Sequence, residues 1–171
     1  MASHCSVASM PNKLGNAALF QLGWFASVLS PQHPWLLGVP LLVLGLHLGW
    51  LSSWAAEGKL LLSALLIGVT VDSTLLHLGV FDFGQPRLLV PLWLTLLWPL
   101  LASTLLHCLA WTARPWWRAS LLGAASAPLS YYAGAQLAGV NLPYGTTTTL
   151  LVLALLWAVL LPLLHGLARR R

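Results

Sequence analysis

Asp72 stands in the middle of a long apolar run, and an isolated carboxyl in such a run is the first residue to suspect of chemistry. It could carry a proton or a cation, or hold a polar substrate. It could equally be a staple, its carboxyl bonded across to a neighbouring helix. Counting from Lys59, which marks one end of the run, a rise of 1.5 Å per residue places Asp72 about 18 Å in, past the midplane of a bilayer. Ala64, Gly68 and Gly79 share its helical face, and small residues there favour close helix packing over lipid exposure. Ser130 and Tyr131 reach the same depth on a later segment, beside a stripe of Gly123, Ala127, Gly134 and Ala138. Tyr131, Ser130 and Ser73 are therefore the expected partners of Asp72. A carrier built on this carboxyl would need a mid-depth polar cavity, lined by Asp72, Ser73, Tyr131 and Gln136 as its substrate-binding groups.

A second polar set lies at one level near the opposite end of the apolar runs. Asn16 opens the first run, while His47, His107 and His165 close the second, fourth and sixth, and Glu57 sits in the connection between the second and third. Imidazole, carboxylate and amide at one level are the ingredients of a general acid–base site facing a membrane leaflet. Asp72, Glu57, His107 and Asn16 are the catalytic candidates, with His47 added to the substrate-binding set. Arg114 and Arg118 could meet a lipid phosphate. No His-x-x-x-His or His-Glu-x-x-His pattern occurs, so no single helix offers two metal ligands, and neither a resident metal nor a cofactor is expected. Asp72, His77 and His107 cannot share one ion, because His77 and His107 fall at opposite ends of their helices, about 20–30 Å apart across the core. Asp82 and Arg87 are expected to pair in an outer loop, and Thr146–Thr149 to cap the last segment. No nucleophile elbow, phosphate loop or dinucleotide fingerprint is present.

The elements that must position these groups follow from composition. Of 171 residues 58% are hydrophobic and only 6% charged, too few charges to cover a soluble fold of this size. Lipid is the natural solvent for such a surface. Six apolar runs are long enough to span a bilayer: 14–29, 35–52, 60–79, 88–111, 119–139 and 147–168. Lys13, Lys59, Arg114, Arg118, Arg169, Arg170 and Arg171 fall on one side and Arg87 alone on the other, so the positive-inside rule puts both termini in the cytoplasm. Trp35, Trp54, Trp111, Trp116 and Trp117 fall at the interfaces. Short connections make consecutive helices antiparallel neighbours. The basic residues cap apolar runs and form no patch, which excludes nucleic acid as a partner. Cys5 and Cys108 make no disulfide framework. Ser-Thr-Leu-Leu-His occurs at 73–77 and again at 103–107, a coincidence in so Leu-rich a chain. Residues 1–12 read as a disordered polar tail before a single transmembrane domain, 13–171, with Met10 an alternative start.

The stretch Asn-Ala-Ala-Leu-Phe-Gln-Leu-Gly-Trp-Phe at 16–25, Glu57, Asp72-Ser73, Pro91-Leu92-Trp93, Thr-Leu-Leu-His at 104–107, Gly123 and the Pro-Leu-Ser-Tyr of 128–131 together resemble one family. It is a group of small bacterial inner-membrane proteins described as a domain of unknown function. The resemblance runs from Pro11 onward, with departures at His77 and in the longer tail. It implies a bacterial inner-membrane location and brings no activity, substrate or cofactor with it.

The expected fold class is thus an all-α polytopic membrane protein, a six-transmembrane-helix bundle with both ends inside. Its expected partners are membrane lipids, with a second copy or other membrane proteins as candidates. Three functions compete: an accessory or lipid-related protein, a proton-coupled transporter using Asp72, and a lipid-active enzyme. The last requires Asn16, His47, Glu57 and His107 to converge, with a lateral opening to lipid.

Overall fold

In a computed structural model, residues 10–170 form an all-helical bundle with no strand among the described residues. Cys5 and Arg171 lie outside the described residues, as does most of the expected tail. Residues 10–12 of that tail instead begin the first helix, α1, Met10–Leu29.

The second segment is a composite. A 3₁₀ turn, Pro34–Leu37, leads into α2, Gly38–Leu46, and the stretch closes in a π-helical turn, His47–Leu51. The wide turn is closed by Ser52 N–H donating to His47 O at 2.9 Å. Ser53 then caps α3, Trp54–His77, its hydroxyl accepting from Ala56 N–H. This cap starts α3 six residues before the apolar run does, so Glu57 lies in its first turn and not in a connection.

The fourth segment departs most from expectation. Helix α4 covers only Leu92–Ala102, and the continuous helix expected over 88–111 breaks there into turns before a short 3₁₀ segment, Ala110–Ala113. Two residues just past its end account for the break. The hydroxyls of Ser103 and Thr104 bond back to Leu100 O and Leu101 O at 2.7 and 2.6 Å, competing for carbonyls that would carry the helix on.

Helix α5, Trp117–Ala138, stops at Gly139, whose φ of 71° is the left-handed conformation that ends helices and suits glycine. Helix α6 is Thr146–Arg169. The loop between α3 and α4 and the loop between α5 and α6 are tied together by a two-way bridge between Asp82 and Asn141. The side chain of Asp82 accepts from Gly84 N–H, and no ion pair with Arg87 forms.

Helix α4 lies at the centre, packed on α1, α2 and α3, while α5 packs mainly on α6. The small stripe of α5 serves more than one neighbour: at Gly123 a Cβ would overlap the backbone of Trp157 on α6, and at Gly134 it would meet Val28 on α1. Helices α4 and α5, neighbours in sequence, stand apart with a cavity between them. Three stretches, Pro34–Leu51, Trp54–His77 and Thr146–Arg169, are long and apolar enough to cross a membrane. Leu41, Leu66, Leu121, Leu151, Leu155 and Leu163 point away from the bundle, as a lipid-facing surface requires.

Candidate functional site

Glu57 is buried, and each of its carboxylate oxygens meets a different histidine. Oε2 lies 3.0 Å from His47 Nε2 and Oε1 lies 2.9 Å from His107 Nε2. Local structure aims both rings. His47 opens the π turn at the end of the second segment, and His107 sits in the turns that follow α4, its N–H bonded to Thr104 O. The two imidazoles stand nearly perpendicular, 87° apart, with centroids separated by 4.9 Å. A ring nitrogen of His47, a ring nitrogen of His107 and a Glu57 oxygen all lie within 4.8 Å of one another.

Asn16, also buried, locks this centre to the broken end of α4. Its Oδ1 accepts from Cys108 N–H at 3.3 Å, and its Nδ2 donates to Ser103 O at 3.0 Å. With one end a necessary acceptor and the other a necessary donor, the amide has a single orientation. Its remaining N–H then faces His47 Nδ1, at 3.5 Å. His47 Nδ1 is thereby an acceptor, and the ring proton sits on Nε2, directed at Glu57.

Asn16, His47, Glu57 and His107 are thus brought together from three helix ends and one turn. His165 is not part of the set. The Thr112 hydroxyl gives its proton to Leu109 O, so it accepts from His165 Nε2 at 2.7 Å. Arg114 and Arg118 are exposed, and Arg118 lies over the ring of Trp117.

Asp72 forms a separate centre with no exposed surface. Oδ1 accepts from Tyr131 O–H at 2.7 Å, and Oδ2 accepts from the Trp98 indole N–H, also at 2.7 Å. Tyr131 is an expected partner; the other two expected partners are engaged elsewhere. The Ser130 hydroxyl accepts from the Trp24 indole at 2.9 Å, and Ser73 Oγ accepts from Val90 N–H at 3.3 Å. Gln136 is exposed and does not belong to the Asp72 environment. Sequence reasoning missed Trp98. The available signal was that a buried Trp must place its N–H, and Gly68 opposite leaves room for the ring. His77 bonds to Leu88 O in the loop between α3 and α4, and His107 bonds to Glu57 instead.

A cavity of about 520 Å³ opens between α1, α4, α5 and α6. Its walls are mostly apolar and aromatic, among them Trp93, Leu97, Leu122 and Ala133; Gln21, Ser126, Ser130 and Tyr131 are the polar exceptions. Of the four groups expected to line a carrier's mid-depth cavity, Tyr131 lines this space, and Asp72, Ser73 and Gln136 do not. Leu101 and Leu109, also in its walls, flank the turns that carry His107.

The profile of the family described as "Protein of unknown function (DUF2878)" matches residues 13–163, and the chain belongs to that family. Neither a curated protein nor a solved structure matches it.

Proposed function

We propose that this DUF2878 member is an integral membrane protein of the bacterial inner membrane that holds an apolar, lipid-derived molecule between α1, α4, α5 and α6. The cavity carries the reading. Its volume of about 520 Å³ falls within the usual range of ligand sites, and its walls suit an acyl chain. Since the surrounding bundle is solvated by lipid, an acyl chain is the apolar molecule at hand.

The chain crosses the membrane six times in this reading, with both ends in the cytoplasm. Charge supports it, with Lys13, Lys59, Arg114, Arg118, Arg169 and Arg170 on one side and Arg87 on the other. So does the pairing of ends: Asn16, His47, Glu57 and His107 gather at one, while Gln32 reaches Leu137 O and Tyr144 reaches Leu78 O at the other.

The test is mass spectrometry of organic extracts from the detergent-purified protein. A stoichiometric acyl lipid is expected with the wild type and not with Ala133→Phe, whose added ring fills the cavity. A wild-type protein that carries no such molecule, or a folded Ala133→Phe that retains it, refutes the reading. Side-specific labelling of cysteines placed at Gln85 and Arg170 tests the topology independently.

A second reading, a lipid-active enzyme, is favoured by the convergence on Glu57 beside the inner wall of the cavity. The transporter reading has less support, because both oxygens of Asp72 are taken by Trp98 and Tyr131.

A further inference from the structure

We propose that His47, Glu57 and His107 form a binding site for one divalent transition-metal ion of the zinc class. The proposal stands apart from the cavity and does not need a lipid to be bound there.

The donor set is the first argument. Two imidazoles and one carboxylate are the ligands of many zinc sites and of the two-His, one-carboxylate iron sites. Here the three donor atoms lie within 4.8 Å of one another and come from three parts of the chain. The absence of a His-x-x-x-His pattern, which argued against a metal from sequence, is irrelevant to a site assembled in this way.

The manner of convergence is the second argument. One histidine would suffice to partner a buried carboxylate. Two histidines, 10 and 50 residues away in the chain, both aim Nε2 at the same carboxylate. The two rings are themselves in edge contact, their centroids 4.9 Å apart, so both imidazoles flank the carboxylate. A cation held there would take the place of the His47 Nε2 proton that points at Glu57.

Support around the ligands is the third. Metal-binding histidines depend on neighbours that orient their rings. Asn16 bonds to Ser103 O and Cys108 N–H on either side of His107 and touches the back of the His47 ring. The amide thus fixes the turn that carries His107, while the π turn places His47. Coordination through Nε2 moves the proton of His47 to Nδ1, facing the amide N–H of Asn16. That 3.5 Å contact then sets two N–H groups face to face, so the His47 ring must part from Asn16 when the ion binds, and the amide supports the site through the turn that carries His107. With three protein ligands, a fourth position stays open, as in catalytic rather than structural zinc sites. The lesser burial of His107 places that opening on its side.

The experiment uses the full chain, produced without a polyhistidine tag and purified in detergent. The protein is stripped with chelator, then titrated with Co²⁺ and Zn²⁺. Expected are one ion per chain, visible d–d absorption of Co²⁺ bleached by Zn²⁺, and a rise in melting temperature with Zn²⁺. Glu57→Gln and His107→Ala should lose the absorption, whereas Asp72→Asn should keep it. A folded wild type that takes up no Co²⁺ overturns the proposal, as does undiminished absorption in folded Glu57→Gln. Should both ligand variants fail to fold, the wild-type titration decides alone: tight one-to-one uptake with d–d bands supports the site, and no uptake refutes it.

Discussion

The indole N–H of Trp98 donates to Asp72 Oδ2 at 2.7 Å, and the same ring lies against Gly68, one turn earlier on α3. Any Cβ at Gly68 would overlap the ring. Glycine and aspartate four residues apart therefore act as a single socket: the first admits the ring and the second binds its edge. Tyr131 adds a second donor to the carboxyl from α5. Three helices meet at one side chain, and a bundle-holding role explains every contact Asp72 makes.

Replacing that carboxyl should cost stability in proportion to the donors left unpaired. Asp72→Asn keeps the size and can still pair with both neighbours through its amide, so it should lose about 1 kcal/mol; Asp72→Ala strands both and should lose about 3 kcal/mol. Thermal unfolding in detergent, followed by circular dichroism, reads the order. Equal stability of Asp72→Ala and wild type would remove Asp72 from the account of how the bundle holds together.

The glycines make a sharper comparison. At Gly123 a Cβ would run into the backbone of Trp157, which cannot swing aside, so Gly123→Ala should force α5 and α6 apart and destabilise by about 2 kcal/mol. Gly166 on α6 has open space around it, and Gly166→Ala should be neutral or gain up to about 1 kcal/mol from helix propensity. Chemical denaturation of the two variants side by side should separate them in opposite directions from wild type. Similar midpoints would mean that α5 and α6 are not in backbone contact.

Asn16→Ala removes the partner of a carbonyl and an N–H in the broken end of α4. Neither group has a helical bond to fall back on, and the loss should be about 2–3 kcal/mol. Hydrogen exchange should increase at Cys108 more than at Leu96, which lies inside regular α4. Uniform exchange along the whole chain would point to global loosening and away from a local cap.

Depth and face were readable from the linear chain to different degrees. Counting residues from charged ends placed Tyr131 opposite Asp72, and brought Asn16, His47, Glu57 and His107 to one level. Counting fails where the helix itself fails. The run 88–111 is apolar throughout, so nothing in its hydropathy announces that α4 stops at Ala102. Ser103 and Thr104 carry that information through hydroxyls that bond back on the helix, while Asn16, on a distant segment, takes up the freed Ser103 O and Cys108 N–H. Face assignment failed at Gln136 for a related reason: the rotation of α5 is set by the contact of Gly123 with α6, and that contact turns Gln136 outward. The cavity is a tertiary feature altogether, arising because α4 turns to α1 and α3 while α5 turns to α6.

The interrupted fourth segment also bears on the order in which the protein is made. An eleven-residue helix is too short to cross a bilayer core of about 30 Å, and in the turns after it Ser103 O and Cys108 N–H find their partner in Asn16. That segment is a poor lone entrant to the membrane. Its cap, however, travels on α1, which leaves the ribosome first and is in place when residues 103–108 arrive. Synthesis from the N-terminus delivers the lock before the part that needs locking. A circularly permuted chain, with α1 moved to the end, would have to hold an unsatisfied segment until its last helix emerged, and it should be degraded in the interval even though its finished structure is the same.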